Sequence, residues 1–223
     1  RESVSQWRQI GLGIMGLADA LIKLGLTYGE EDAVSVCDRI GFVMADTAIA
    51  ASARLAKELG AFPKCKVEEI METPYFLANT TEGTKELVRK YGLRNSQLLT
   101  IAPTGTLSTM LGISGGIEPI YANYYERKTE SLHGEDVYYK VYTKIVKDFM
   151  EEHKVSDDRL LPDYFVTAMT LDYHQRIDMQ SIWQRHIDAS ISSTVNVPSG
   201  FTVEETENLY LYAFEQGLKG ITI

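Results

Sequence analysis

Short apolar runs separated by helical stretches constrain this chain more than any other feature. Leu98, Leu99 and Ile101 read as a short buried strand, and so do Val195-Asn196-Val197-Pro198 and Gly220-Ile221-Thr222-Ile223. Between them lie patterns of helical period. Glu30 to Leu59 reads as one long helix with apolar positions Val34, Cys37, Ile40, Val43, Met44, Ala48 and Ala51. Its alanine-rich second half, Ala45 to Ala56, predicts close packing between helices. Thr81 to Gly92 reads as a short polar helix, Val137 to His153 as an amphipathic one and Ile177 to Asp188 as a third. Thr202-Val203-Glu204-Glu205 has the form of a capping box, opening a helix that Gly217 stops. Strands alternating with helices predict a helix-rich α/β architecture.

The first of those strands leads into the most informative stretch. After Pro103 the chain turns to Thr104-Gly105-Thr106-Leu107-Ser108 and continues to Ser114-Gly115-Gly116-Ile117-Glu118-Pro119. A hydroxyl-rich turn leaving a buried strand directs backbone N–H and side-chain O–H groups at one point, the chemistry that a phosphate needs. A plain β-turn with a helix N-cap fits the same residues. No Lys follows the glycine, so the turn is not a Walker A motif.

Ile10-Gly11-Leu12-Gly13-Ile14-Met15-Gly16 contains G-x-G-x-x-G, with Glu30, Glu31 and Asp32 further on. A dinucleotide fingerprint follows a hydrophobic strand, whereas Ser5-Gln6-Trp7-Arg8-Gln9 precedes this one. Close packing of backbone on backbone explains the glycines as well. Cys37 falls on an apolar stripe and reads as core, while Cys65 lies in a loop between Lys64 and Lys66. The two cysteines and four histidines have no metal-ligand spacing. His174 and His186 read as polar surface or helix-end residues. The tyrosines at 121, 124, 125, 138, 139 and 142 read as packing residues. Asn123 to Arg127 has strand character and leads to a charged turn around His133-Gly134-Glu135.

The 223 residues allow one sizeable domain. A formal net charge of −9 argues against gripping nucleic acid. No apolar run reaches spanning length and no signal peptide is present, so no membrane association and a cytoplasmic location are expected. The ends, at Arg1 and within the apolar run at Ile223, look like cuts through a longer protein.

Six segments in order carry a resemblance. They are Ile10 to Asp19, Ala102 to Ser108, Gly116-Ile117-Glu118-Pro119, Met179-Gln180, Ser193 to Pro198, and Gly217 to Thr222. Together they resemble the C-terminal part of the catalytic subunit of ribonucleotide reductase. The resemblance implies that residues 1–223 form one domain, the later portion of that family's ten-stranded α/β barrel. It implies that Pro103, Thr104, Gly105, Thr106, Leu107 and Ser108 hold the phosphates of a ribonucleotide substrate. Ser108 would use its hydroxyl, and the others largely their backbone N–H groups.

The family's thiyl radical, which abstracts the substrate's 3′ hydrogen, arises on a cysteine in an Asn-Pro-Cys-Gly-Glu loop that these residues lack. No catalytic residue is therefore expected in this chain, which alone would be inactive. The effector region and the C-terminal cysteine tail are likewise absent. Lys219-Gly220-Ile221-Thr222-Ile223 has no Tyr-Tyr relay, and the turn reads Pro-Thr-Gly-Thr. Both features resemble the adenosylcobalamin-dependent, class II form. Implied partners are the upstream half of the barrel and a thiol reductant such as thioredoxin. The alternatives are a non-catalytic nucleotide-binding or stabilising subunit of a split reductase, and an NAD-binding oxidoreductase.

Overall fold

A computed structural model describes residues 2–129 and 137–223, with the side chain of Thr129 left aside. The charged turn expected around His133 lies outside the described residues. The helices begin with α1 (Glu2–Trp7), α2 (Leu17–Lys23), α3 (Glu31–Leu59) and α4 (Val67–Met71). They continue with α5 (Pro74–Ala78), α6 (Glu82–Tyr91) and α7 (Gly105–Leu111). A hairpin of β1 (Tyr124–Thr129) and β2 (Val137–Tyr142) precedes α8 (Lys144–His153), α9 (Tyr173–His186) and α10 (Val203–Glu215).

The centre is a row of short extended segments joined by parallel bridges. Leu12 pairs with Leu99, Ile101 with Ile191, and Thr194 with Thr222. Leu12 N–H donates to Leu98 O at 2.8 Å and Thr100 N–H to Leu12 O at 3.0 Å. On the other side of that segment, Ser192 N–H donates to Ile101 O at 2.8 Å. Helices fill every crossover, as parallel pairing requires. Asp188, just past α9, accepts Leu98 N–H and Leu99 N–H on its two carboxylate oxygens at 2.8 and 2.7 Å. It thereby fixes where the middle segment begins.

The glycines of G-x-G-x-x-G belong to this row. A Cβ on Gly13 would lie 2.1 Å from Thr100 O, and one on Gly11 would lie 2.6 Å from Thr100 Cγ2. Close backbone approach therefore accounts for Gly13, packing of the Thr100 side chain for Gly11, and Leu12 between them is itself paired as a strand.

The long helix forms over the expected span, but another face is buried. Ala33, Cys37, Gly41, Ala45, Ile49 and Ala53 recur at i+4 spacing and are buried, and α3 packs there against α6 and α9. Small residues allow this approach: a Cβ on Gly41 would fall 2.4 Å from His186 Cδ2. The larger apolar residues named from the sequence mark the neighbouring face. Ile40 and Val43 are exposed there, and with Leu12, Met44 and Ala48 they line an open apolar groove of about 820 Å³.

The helix expected over Val137 to His153 is half strand. Val137, Tyr138, Tyr139, Val141 and Tyr142 favour a pleated backbone, and they pair antiparallel with β1 from Tyr124↔Tyr142 to Thr129↔Val137. The helix begins only after Thr143. Tyr121, Tyr125, Tyr138 and Tyr139 are exposed, so packing accounts for only some of the tyrosines. Tyr142 packs at the edge of the core and donates to Asp158. α9 starts four residues before the expected Ile177, because Asp172 caps it by accepting His174 N–H at 2.8 Å. The Thr202–Glu205 capping box is present.

Candidate functional site

The turn after the middle segment stands at the edge of a cleft of about 610 Å³. Pro103, Gly105 and Ser108 line it together with Tyr121, Tyr125 and Lys144. Thr104 is the N-cap of α7 and adopts φ 51°, ψ 19°, a left-handed conformation rare for a β-branched residue. Its own side chain holds it there: Thr104 Oγ1 accepts the Gly116 N–H at 3.0 Å. Gly115 packs against the same turn, where a Cβ would sit 3.1 Å from Pro103 O.

Behind Thr104, the amides of Gly105, Thr106 and Leu107 occupy the first helical turn, where no intrahelical acceptor exists. All three residues are exposed. The first turn thus presents clustered donors with the positive end of the peptide dipoles. Pro103, Thr104, Gly105, Thr106, Leu107 and Ser108 are one continuous feature, but Ser108 differs from the rest. It is buried, and its hydroxyl donates to Gly105 O at 3.1 Å, closing the turn from inside.

A polar network that the sequence did not reveal underlies the turn. Arg176, on α9, is only 3% exposed. Its Nη1 donates to Tyr28 OH at 2.8 Å and its Nη2 to Ser193 Oγ at 2.7 Å. Tyr28 OH donates to Ile117 O at 2.7 Å. Burial pushes the Tyr28 phenol up to about 12, against the opposing pull of Arg176, so it stays a donor. Glu118 Oε1 accepts Thr194 N–H at 2.8 Å and lies 3.6 Å from Arg176 Nη2. An arginine in a helix reads from sequence as a solvated surface charge. Only its place beside Ile177 and Met179, both buried, hinted otherwise.

The remaining residues considered from sequence fall elsewhere. Cys37 is fully buried, and burial pushes its thiol up to about 11. The Cys65 sulfur accepts Leu93 N–H at 3.5 Å. His174 lies in the first turn of α9, bonded to Asp172. His186 ends that helix but is buried, between Asn79 Oδ1 and Asp38 Oδ1. Among the described residues no group of His, Cys, Asp and Glu is arranged to hold a metal ion, and no helix is long and apolar enough to cross a membrane.

Comparisons with known proteins agree with this architecture. The family model described as "Ribonucleotide reductase, barrel domain" matches residues 1–223. The vitamin B12-dependent ribonucleoside-diphosphate reductase of Mycobacterium tuberculosis (strain CDC 1551 / Oshkosh) is 31% identical, across 100% of this chain and 32% of the relative. The protein of that name from Thermoplasma acidophilum is 32% identical over 97% of this chain and 28% of its own length. Among solved structures, the Actinobacillus ureae class Id ribonucleotide reductase alpha subunit superposes with TM-score 0.74 at 21% identity. That match covers 99% of this chain and 39% of that one. The chain thus spans about a third of the length of these curated relatives. With its whole length matched and its parallel bridges joined by helices, this chain belongs to the ribonucleotide reductase family, within the barrel domain.

Proposed function

We propose that this chain supplies the substrate-phosphate turn of an adenosylcobalamin-dependent ribonucleotide reductase, and that residues 1–223 act as one domain of its catalytic barrel. The observation carrying this reading is Thr104, held left-handed by its bond from Gly116 N–H at the start of α7, where the amides of the exposed residues Gly105, Thr106 and Leu107 have no intrahelical acceptor. Strained residues of this kind gather at ligand-binding positions, where neighbouring structure holds them. The diphosphate of a ribonucleotide would take these three amides and the Thr106 hydroxyl. Ser108, already bonded to Gly105 O, would keep the turn closed rather than donate.

Radical chemistry belongs to other residues of the enzyme in this reading. Neither Cys37 nor Cys65 lines the cleft, so the chain alone would bind without reducing. The relatives' names support cobalamin. The described residues themselves offer it no evident seat: His153 stacks on Phe149, His174 bonds Asp172 and His186 is enclosed by Asn79 and Asp38. The apolar groove along α3 would receive the remainder of the barrel.

Reconstitution tests the proposal. The chain is combined with the upstream part of the barrel, adenosylcobalamin, a ribonucleoside diphosphate and thioredoxin as reductant. Deoxyribonucleotide formation should need both polypeptides. Thr106→Val should raise KM by about tenfold, the scale of one lost charge-assisted hydrogen bond, and adding Ser108→Ala should raise it further by loosening the turn that Ser108 closes. An unchanged KM would remove the phosphate turn from the site. Activity only with a metal-radical partner subunit would overturn the cobalamin class.

A further inference from the structure

Arg176 is a charge taken almost wholly out of water. An unpaired buried ion costs several kcal/mol, and a residue bearing that cost needs strong local partners. Here the partners are spread over three separate parts of the chain. Tyr28 lies in the loop before α3, Ser193 in the extended segment beside Ile101, and Glu118 in the turn after α7. The guanidinium Nε is buried with no partner among the described residues. The geometry serves the spacing of those three elements rather than full satisfaction of the arginine.

Two of these contacts converge on one short segment. Tyr28 grips Ile117 O, and Glu118 is fastened to Thr194 N–H while facing Arg176. Between that segment and the strained turn lies a single side-chain bond, from Gly116 N–H to Thr104 Oγ1. Gly116 is itself left-handed, at φ 47°, with a Cβ position 3.1 Å from Ile101 Cγ2, so it has little room to shift.

We propose that Arg176 is a positioning residue: through Tyr28 and Glu118 it fixes the Gly115–Glu118 segment, and through Gly116 it fixes the left-handed conformation of Thr104. The consequence for substrate rests on the phosphate reading above; the mechanical coupling does not. Arg176 touches no ligand in this account. It also lies beside Glu118, which lines the cleft together with Asp19. At Glu118 an arriving anion therefore meets a partly neutralised pair, while Asp19 Oδ2 accepts the Ser114 N–H at 2.7 Å.

The test uses amide hydrogen exchange on the full chain, with peptides covering 101–119, α3 and α6 read separately. Arg176→Met removes the hub, and Tyr28→Phe deletes only the hydroxyl that links it to Ile117. Thr202→Ala, remote on α10, serves as a control for general loss of stability. Both hub variants should speed exchange at the bonded amides within 103–108 and 115–118, those of Ser108, Gly116 and Glu118, by about tenfold, the equivalent of one ordinary hydrogen bond. Exchange in α3 and α6 should change no more than in the control. Should Arg176→Met fail to fold, Tyr28→Phe carries the decision alone. Unchanged exchange in both segments overturns the proposal, and so does uniform acceleration along the chain. A parallel titration with inorganic pyrophosphate separates the two readings. Wild-type binding that weakens about tenfold in Tyr28→Phe supports both. No binding by wild type overturns the phosphate reading, while the exchange data still decide the coupling.

Discussion

Thr104, Gly13, Cys37 and Tyr28 each hold a position that ordinary side-chain chemistry disfavours, and each has a measurable cost. A methyl group on Gly13 would meet the Thr100 carbonyl oxygen at 2.1 Å, and the N–H of that same residue is bonded to Leu12 O, so the backbone there has little freedom to withdraw. Gly13→Ala should therefore destabilise the fold by about 3 kcal/mol or more, read from the urea midpoint. The buried Cys37 thiol and Tyr28 phenol begin an alkaline decline to which Tyr75, also raised by burial, and Tyr212, raised by its bond to Asp178, add. Cys37 shifts from 9.0 to about 11 and Tyr28 from 10.0 to about 12, both chiefly through burial. Between these values the unfolded chain has released protons that the folded chain retains, so stability falls as pH rises. It should be intact below pH 9 and decline progressively to about pH 12. Cys37→Ala should move the onset upward by about one pH unit, the gap between the two unperturbed groups. An onset unmoved by that change would leave the thiol out of the account.

At the scale of elements, local chemistry is most legible where one side chain decides the outcome. The capping box was readable because Thr202 and Glu205 bond each other's backbone amides whatever the rest of the fold does. Thr202→Ala should cost about 1 kcal/mol and fray the first turn of α10, seen as faster amide exchange there. The first strand of the hairpin is legible from Asn123 to Arg127, but β2 reads as helix because Tyr138, Val141 and Ile145 suit a helical period as well as a strand. Pairing with β1, a tertiary fact, decides between them. The stripe on α3 was misread for a related reason. Hydrophobic size pointed to Ile40 and Val43, whereas proximity to α9 selects the smallest residues, Ala33, Gly41 and Ala45. The hydroxyl-rich turn was visible as composition. Its left-handed Thr104 and the buried Arg176 network nearby were not, since both depend on groups distant in sequence.

For the whole molecule, the groove along α3 matters most. Leu12, Ile40 and Val43 are exposed on one surface beside the outermost extended segment. An apolar surface of this kind, next to an unpaired strand edge, promotes association. In isolation the chain should self-associate, with a weight-average mass above 25.0 kDa in sedimentation. Val43→Lys, at a position already 60% exposed, should shift it toward monomer without lowering the thermal midpoint by more than about 2 °C. A wild-type chain that sediments as a monomer would contradict this use of the groove.

The row of parallel bridges also governs how the chain is made. Neighbours in that row lie far apart along the polypeptide: Gln9 and Gln97 are separated by 88 residues, and Thr100 and Ser190 by 90. A ribosome adding about 5–20 residues per second takes roughly 4 to 18 s to deliver each partner. During that interval α3 and α6, close in sequence, can already pair. The nascent chain thus emerges as a helical layer carrying Leu12 on an incomplete edge, and the parallel row forms only as later segments leave the ribosome.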